Sequence, residues 1–210
     1  MGLDMYFTAR KWEACSRFDE RRKLDYDPEL SWFETYIAER NFKSAETKYQ
    51  IGYFTHKVDM LALAYKKNIW MNISPNEINT MQPSIDEAYG NVLVFGLGLG
   101  YYPFMVSLKN EVKSVTIVEK DPNIIKIFKE SLFKFFPQKE KMQIIQDDAF
   151  RYVNNGKKYD YCFIDLWHNP EDGLPMYLKF KTLEKKNTKY FYWLEEGINA
   201  MYRRCALTVI

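Results

Sequence analysis

Three glycines at alternating positions are the feature of this sequence that points most clearly to a ligand. Gly96, Gly98 and Gly100 follow a short apolar run and precede a helical pattern. A glycine turn between a strand and a helix lets the polar groups of a ligand meet backbone N–H groups, because no Cβ atom blocks the approach. The loop therefore predicts a nucleotide site, and a tight turn without a ligand is the alternative interpretation.

The spacing of these glycines discriminates among nucleotide-binding loops. A dinucleotide loop reads G-x-G-x-x-G and would require glycine at the position of Tyr101. A phosphate-binding loop would require Gly-Lys followed by Ser or Thr, which is missing here. The G-x-G-x-G spacing thus indicates a nucleotide of another kind.

Glu119 is the second residue with a predicted ligand role. It lies about 20 residues beyond the glycine loop, at the end of the next apolar run, where an acid can accept hydrogen bonds from both hydroxyls of a ribose. Taken alone, an exposed carboxylate at the end of a strand is an equally good interpretation. The glycine loop upstream favours the ribose contact.

A further run of reactive side chains follows the fourth apolar segment, at residues 165–168. Asp165 can bind an ammonium group of a ligand or the substrate, and Trp167 can stack on a ring or a cation. His168 can act as a base near neutral pH. For His168, a loop histidine without a catalytic role is the alternative.

Five apolar runs separated by amphipathic segments would position these residues. The runs comprise residues 92–95, 115–118, 142–145, 159–164 and 190–194. Regular alternation of strand and helix is typical of parallel β-α-β architecture, in which ligands bind at the carboxyl ends of the strands. We therefore expect residues 86–210 to form a Rossmann-like α/β domain, with a parallel sheet of strand order 3-2-1-4-5 flanked by helices.

Residues 1–85 are expected to form an N-terminal helical extension followed by a β-hairpin. Residues 1–47 have a helical, polar-aromatic pattern, and Asp27-Pro28-Glu29 is typical of a helix start. Two β-like runs, 58–65 and 69–73, flank three polar residues and predict the hairpin. Ser74-Pro75-Asn76-Glu77 then predicts the start of a short helix.

Composition limits the classes of protein to which this chain can belong. The 210 residues carry a net charge of +2 and are 47% hydrophobic, which predicts a folded, soluble protein rather than a disordered one. Basic pairs are scattered along the chain, so nucleic-acid binding is not supported, although it stays open. Three distant cysteines and two histidines predict neither disulfides nor a metal site. With no signal peptide or long apolar run, we expect a cytoplasmic protein outside the membrane.

The order of these motifs resembles that of class I S-adenosylmethionine-dependent methyltransferases, and their layout is closest to spermidine-synthase-like proteins. The resemblance implies S-adenosylmethionine as the cofactor, held by the glycine loop, Glu119 and Asp165. Residues 146–149, Gln-Asp-Asp-Ala, resemble the third motif of the family, in which an acidic side chain meets the adenine amino group. We assign this contact to Asp148, expect the adjacent Ala149 to contact the cofactor as well, and keep Asp147 as the alternative acid.

Two departures from this family pattern affect the functional prediction. An aminopropyltransferase would be expected to show Asp-Ser-Ser-Asp after the fourth strand, whereas His168 replaces the second acid here. Methyltransferases of this class commonly end in an antiparallel hairpin, and only 14 residues follow Glu196. We therefore expect this hairpin to be absent, with residues 199–210 forming a helix or residues 206–210 a strand.

The leading hypothesis is an S-adenosylmethionine-dependent methyltransferase that acts on an unidentified acceptor substrate. Asp165 and His168 are its candidate catalytic residues, and Trp167 is its candidate substrate contact. An aminopropyltransferase acting on an unusual amine is the enzymatic alternative. A non-catalytic nucleotide-binding or interaction protein is the third hypothesis, in which an apolar face exposed by the missing hairpin would favour a homodimer.

Overall fold

The computed structural model describes residues 5–12, 58–65, 68–73 and 75–207. The chain forms two compact units, Met1–Thr80 and Met81–Ile210. This division lies close to residue 86, where the sequence predicts that the Rossmann-like domain begins. All of the predicted site residues belong to the second unit.

The first unit contains an antiparallel sheet with strand order β1-β2-β3. β1 (Met5–Trp12) pairs with β2 (Val58–Tyr65) along its whole length, and β2 pairs with β3 (Asn68–Asn72). The β2–β3 pair confirms the predicted hairpin, because a short polar connection suits two antiparallel strands.

The strand β1 corrects the helical prediction for residues 5–12. Tyr6, Phe7 and Thr8 are aromatic or β-branched residues, which favour strands. The partner of β1 is β2, which lies far along the chain, so no local pattern reveals the pairing. The helix start predicted at Asp27-Pro28 lies outside the described residues.

The second unit is built on a parallel sheet of five strands. These strands are β4 (Gly90–Phe95), β5 (Val112–Glu119), β6 (Met142–Gln146), β7 (Tyr161–Ile164) and β8 (Lys189–Tyr192). Their order is β6-β5-β4-β7-β8, and every neighbouring pair is parallel. Numbered within this sheet, the order is 3-2-1-4-5, which confirms the predicted Rossmann-like fold.

Helices lie before, between and after these strands. They are α1 (Pro75–Glu87), α2 (Tyr101–Ser107), α3 (Pro122–Ser131), α4 (Ala149–Tyr152), α5 (Pro170–Lys181) and α6 (Glu195–Leu207), with 3-10 turns at Phe133–Phe135 and Lys139–Lys141. α1 confirms the predicted helix start, and α6 selects the helix from the two alternatives for the C-terminal residues. Among the described residues, no strand follows β8. None of the described helices has the length and apolar character needed to cross a membrane.

The sheet of the second unit is covered on both faces. Consecutive residues of β4, which point to opposite faces, are all buried from Val92 to Phe95. The ring of Tyr102 stacks on Phe163 with 3.8 Å between the centroids, and the buried Ser84 hydroxyl lies 2.9 Å from the Tyr102 hydroxyl. Close packing of this kind restricts movement, so the strand ends form a firm base for a site.

Candidate functional site

All three glycines of the loop after β4 adopt left-handed backbone conformations. Their φ angles are +96° at Gly96, +50° at Gly98 and +78° at Gly100, in a region that residues with a Cβ enter only at a cost. A Cβ on Gly96 would lie 2.2 Å from the backbone oxygen of Asp165, and one on Gly100 would lie 2.2 Å from Cε2 of Phe128. The fold therefore requires glycine at positions 96 and 100 whether or not a ligand binds.

Backbone hydrogen bonds hold the glycine loop in place. Gly96 donates to the carbonyl of Val118 at 3.0 Å, and Gly100 donates to the carbonyl of Leu97 at 2.9 Å. The N–H of Leu97 donates to Oε2 of Glu119 at 3.1 Å. Because these three donors are used within the protein, a ligand at the loop would contact its remaining backbone groups.

Glu119 ends β5 and connects this strand to the glycine loop. Besides its bond from Leu97, it accepts a hydrogen bond at Oε1 from the backbone N–H of Asp121 at 2.8 Å. Burial raises the pKa of the Glu119 carboxyl, and the backbone donors of Asp121 and Leu97 partly offset this effect. Each carboxylate oxygen has a second lone pair, so the predicted ribose contact is compatible with both bonds.

Asp147 and Asp148 follow β6 and have different partners. Oδ1 of Asp148 accepts hydrogen bonds from the backbone N–H groups of Phe150 at 2.9 Å and Arg151 at 3.2 Å, so Asp148 caps α4. Asp147 forms an ion pair with Arg151. Its backbone N–H donates to the carbonyl of Glu119 at 3.1 Å, which joins the ends of β5 and β6. An aspartate directly before a helix is a capping signal that the sequence already contained.

Asp165 directly follows β7 and lies next to the glycine loop. Its backbone N–H donates to the carbonyl of Phe95 at 3.0 Å, and its own carbonyl faces the position at which Gly96 lacks a Cβ. The carboxyl ends of β4 to β7 therefore meet at one edge of the sheet. The residues predicted to contact the cofactor all follow these strands: Gly96, Gly98, Gly100, Glu119, Asp148, Ala149 and Asp165.

Trp167, the predicted substrate contact, is packed within the protein in this structure. Its side chain is buried, and Nε1 donates to the backbone carbonyl of Trp193 at 2.9 Å. The indole also stacks parallel to Tyr192 and lies so close to Gly173 that a Cβ there would be 2.8 Å from Cγ of the indole. Both the ring and its N–H thus have partners within the protein, and the contact with substrate stays a prediction.

His168 lies on the surface beside Asp172, a residue that the sequence analysis did not include. Nδ1 of His168 lies 3.2 Å from Oδ2 of Asp172, and about half of the imidazole is exposed. Asn169 and Asp172 form a reciprocal capping box at the start of α5, with Asn169 as the N-cap residue. Asn-x-x-Asp before an apolar helix is a capping signal that the sequence contains. The sequence does not show that Asp172 lies next to His168, because this contact depends on the conformation of the turn.

The segments at the carboxyl ends of β4 to β7 together contain many more acidic than basic residues, and we call them the carboxyl edge. They comprise residues 96–100, 119–121, 147–151 and 165–172. Seven Asp and Glu residues occur in them, against Lys120 and Arg151 as the bases. Among the residues that the structure describes, no three His, Cys, Asp or Glu side chains are grouped as a metal site. A charge balance of this kind favours cationic ligands.

The sheet order, the glycine loop after its first strand and the acids after the next strands define a class I methyltransferase-like, Rossmann-like fold. Residues 75–183, about half of the chain, match the spermine/spermidine synthase domain. The chain belongs to the spermine/spermidine synthase family. No curated protein sequence matches it.

Several solved structures are similar to part of this chain at low sequence identity. Spermidine synthase from Thermotoga maritima is 17% identical, with a TM-score of 0.39, and the match covers 58% of this chain and 49% of that chain. A putative O-methyltransferase from Klebsiella pneumoniae is 16% identical, with a TM-score of 0.41 and coverage of 53% and 51%. TrmK of M. capricolum, in complex with S-adenosyl-homocysteine, is 14% identical, with a TM-score of 0.44 and coverage of 53% and 49%. The chain thus spans about half the length of these structures.

Proposed function

We propose that this chain is a transferase that binds S-adenosylmethionine at its carboxyl edge and transfers the methyl group to an acceptor. The observation that carries the proposal is the hydrogen bond of 3.1 Å between Leu97 of the glycine loop and Glu119. It brings a carboxylate to the place where Rossmann-like folds bind the ribose of a nucleotide. Membership in a family of transferases supports the same reading.

The charge of the carboxyl edge supports a cationic donor. S-adenosylmethionine carries a sulfonium, an ammonium and a carboxylate group and is positively charged overall, whereas NAD carries a pyrophosphate that the seven acids would repel. The residues present fit the donor. The glycine loop and Glu119 would hold its ribose and neighbouring groups, Asp148 and Ala149 its adenine, and Asp165 its ammonium group.

Methyl transfer requires positioning more than acid–base chemistry from the protein. When bound, the donor supplies a methyl group that the sulfonium has already activated. Orientation can contribute about 7 to 11 kcal/mol to lowering a barrier between two bound reactants. The replacement of the second acid by His168 is therefore compatible with this reaction.

Aminopropyl transfer to an unusual amine is the second candidate, because the family match favours it. Its donor would be decarboxylated S-adenosylmethionine, and the attacking amine would have to lose a proton. His168 stands where the family pattern predicts the second aspartate, and an imidazole can accept a proton near neutral pH. The two candidates thus differ in the donor that they require.

Isothermal titration calorimetry with four ligands tests both candidates. The ligands are S-adenosylmethionine, S-adenosylhomocysteine, decarboxylated S-adenosylmethionine and NAD. We expect micromolar binding of the first two and none of NAD. A clear preference for the decarboxylated donor, with product formation from a panel of diamines, would replace the first candidate by the second. If none of the four bound, both would be wrong and a non-catalytic interaction role would stand in their place.

A further inference from the structure

The contact between His168 and Asp172 fixes one side of the imidazole ring. Nδ1 of His168 lies 3.2 Å from Oδ2 of Asp172, and both oxygens of Asp172 lie 3.2 Å from the backbone nitrogen of His168. Oδ1 of Asp172 also accepts from the backbone N–H of Asn169 at 3.0 Å. The carboxylate is therefore held by the chain at several points, and the ring nitrogen meets an acceptor whose position is set.

Asp172 is in its charged form at neutral pH. Burial alone would raise its pKa, but the hydrogen bonds from the backbone N–H groups of Asn169 and His168 outweigh it and hold the pKa below its ordinary value. A carboxylate can only accept hydrogen bonds, whereas a neutral imidazole has one donor and one acceptor nitrogen. The carboxylate therefore selects the tautomer with its proton on Nδ1, which gives Nε2 the lone pair.

The buried Trp167 fixes the backbone that carries His168. Its indole donates to the carbonyl of Trp193 at 2.9 Å and packs against Gly173 in the first turns of α5. Since His168 follows Trp167 directly, its backbone is held between a core anchor and a helix cap. Three residues earlier, Asp165 directly follows β7 beside the glycine loop, so the histidine is tied to the carboxyl edge.

We propose that Asp172 is a positioning residue that holds the proton of His168 on Nδ1, and that Nε2 accepts the proton of the attacking acceptor. This inference rests on the proposed function and defines its acceptor class. The acceptor is a molecule whose attacking nitrogen, oxygen or sulfur carries a dissociable proton, such as an amine, alcohol or thiol. Thioethers and tertiary amines lie outside this class.

The transfer step balances with these groups alone. When bound, the donor supplies an electrophilic carbon, and the electrons of its C–S bond return to sulfur as the acceptor forms its new bond to that carbon. The proton released by the acceptor moves to Nε2 of His168. The resulting imidazolium keeps its Nδ1–H toward the Asp172 carboxylate, which stabilises the positive charge.

Nitrogen NMR of protein labelled with ¹⁵N-histidine tests the tautomer without any turnover. The chain has two histidines, His56 and His168, so a His56→Gln variant assigns the signals. At a pH where the imidazole is neutral, we expect protonated Nδ1 and unprotonated Nε2 in the parent protein. Asp172→Asn should reduce this preference, while Glu171→Gln, a matched loss of charge on the same turn, should leave it unchanged. A predominant Nε2–H tautomer in the parent protein would overturn the inference.

Kinetics test the role of Nε2 as a base. A panel of primary amines, thiols, alcohols, thioethers and tertiary amines is offered with S-adenosylmethionine, and we expect methylation only of compounds with a dissociable proton. For such an acceptor, Asp172→Asn should lower kcat by up to about 100-fold, the lower end of the range for a general base, because His168 itself stays in place, with little change in KM. Methylation confined to thioethers or tertiary amines would contradict the inference.

Donor binding separates failure of this inference from failure of the proposed function. Calorimetry should give the same S-adenosylmethionine affinity for Asp172→Asn and Glu171→Gln, because each removes one acid of the carboxyl edge and neither residue is among the proposed donor contacts. If the parent protein bound no donor or methylated no compound, the proposed function would be wrong. Equal kcat values for Asp172→Asn and the parent protein would instead refute only the role of the pair.

Discussion

Glu119 ends β5, accepts a hydrogen bond from the glycine loop and is the proposed contact for the ribose of the donor. Glu119→Ala removes the carboxylate that would bind the ribose hydroxyls. A hydrogen bond to a charged group contributes about 1.5–3 kcal/mol, so the dissociation constant of S-adenosylmethionine should rise at least about tenfold. Glu130→Ala, at an exposed position of α3, makes the same change of charge and is the control. Equal affinities of the two variants in calorimetry would disprove the ribose assignment.

The same residue predicts a dependence of stability on pH. Burial raises the pKa of Glu119 above its ordinary value of 4.5, so the folded state binds this proton more tightly than the unfolded state. Between 4.5 and the raised pKa, the contribution of Glu119 to stability therefore falls as the pH rises. Thermal unfolding across this window should show a steeper decline for the parent protein than for Glu119→Gln. Parallel curves would contradict a raised pKa.

The sequence was sufficient to predict which acids lie at the carboxyl edge. It was not sufficient to predict the hydrogen bonds that the candidate site residues make within the fold. The sequence identified Glu119, Asp148 and Asp165 because acids after predicted strands fall at one edge of a parallel sheet. The sequence could not predict the hydrogen bond from Trp167 to the carbonyl of Trp193, because Trp193 lies on a different segment. Asp172 was missed since its contact with His168 arises only when the turn before α5 has formed.

Among the structural elements, the glycine turn after β4 allows the sharpest test. Gly96→Ala places a Cβ 2.2 Å from the backbone oxygen of Asp165, whereas Gly156 has a similar positive φ and open space around the added Cβ. Both substitutions carry the left-handed penalty of about 1–2 kcal/mol. Gly96→Ala should lose about 1–3 kcal/mol more because of the clash. Urea denaturation of both variants measures the difference, and equal losses would show that the turn accommodates the Cβ.

The elements of the second unit could be predicted because each follows from a local pattern. β4 to β8 are short apolar runs, and residues such as Asp121 and Pro122 mark helix starts in the sequence itself. β1 could not be predicted because its pairing with β2 joins residues far apart along the chain. Aromatic residues such as Tyr6 and Phe7 suit either a helix face or a strand, and only the distant partner decides between them.

At the scale of the whole molecule, acidic and basic residues are unevenly distributed along the sequence. The net charge is +2, yet the carboxyl edge has seven acidic residues and only two lysines or arginines. The rest of the chain must therefore carry the excess of basic residues. Clustering of one sign of charge around a site raises the local concentration of ligands of the opposite sign. The site is thus suited to a cationic donor even though the chain as a whole is slightly basic.

The excess of acids at the carboxyl edge predicts that salt weakens the binding of a charged donor more than the binding of a neutral analogue. Added salt shortens the screening length from about 10 Å at 0.1 M to about 3 Å at 1 M. S-adenosylmethionine should therefore lose affinity over this range, whereas 5′-methylthioadenosine, which has the same nucleoside without the sulfonium and ammonium charges, should change little. Asp165→Asn should reduce the salt dependence for S-adenosylmethionine, because it removes one acid of the carboxyl edge. Calorimetry at three salt concentrations gives the slope of affinity against salt concentration for each ligand.

Identical slopes for the two ligands would mean that the acidic edge does not select the donor by charge, and recognition would then depend on the adenosine contacts alone.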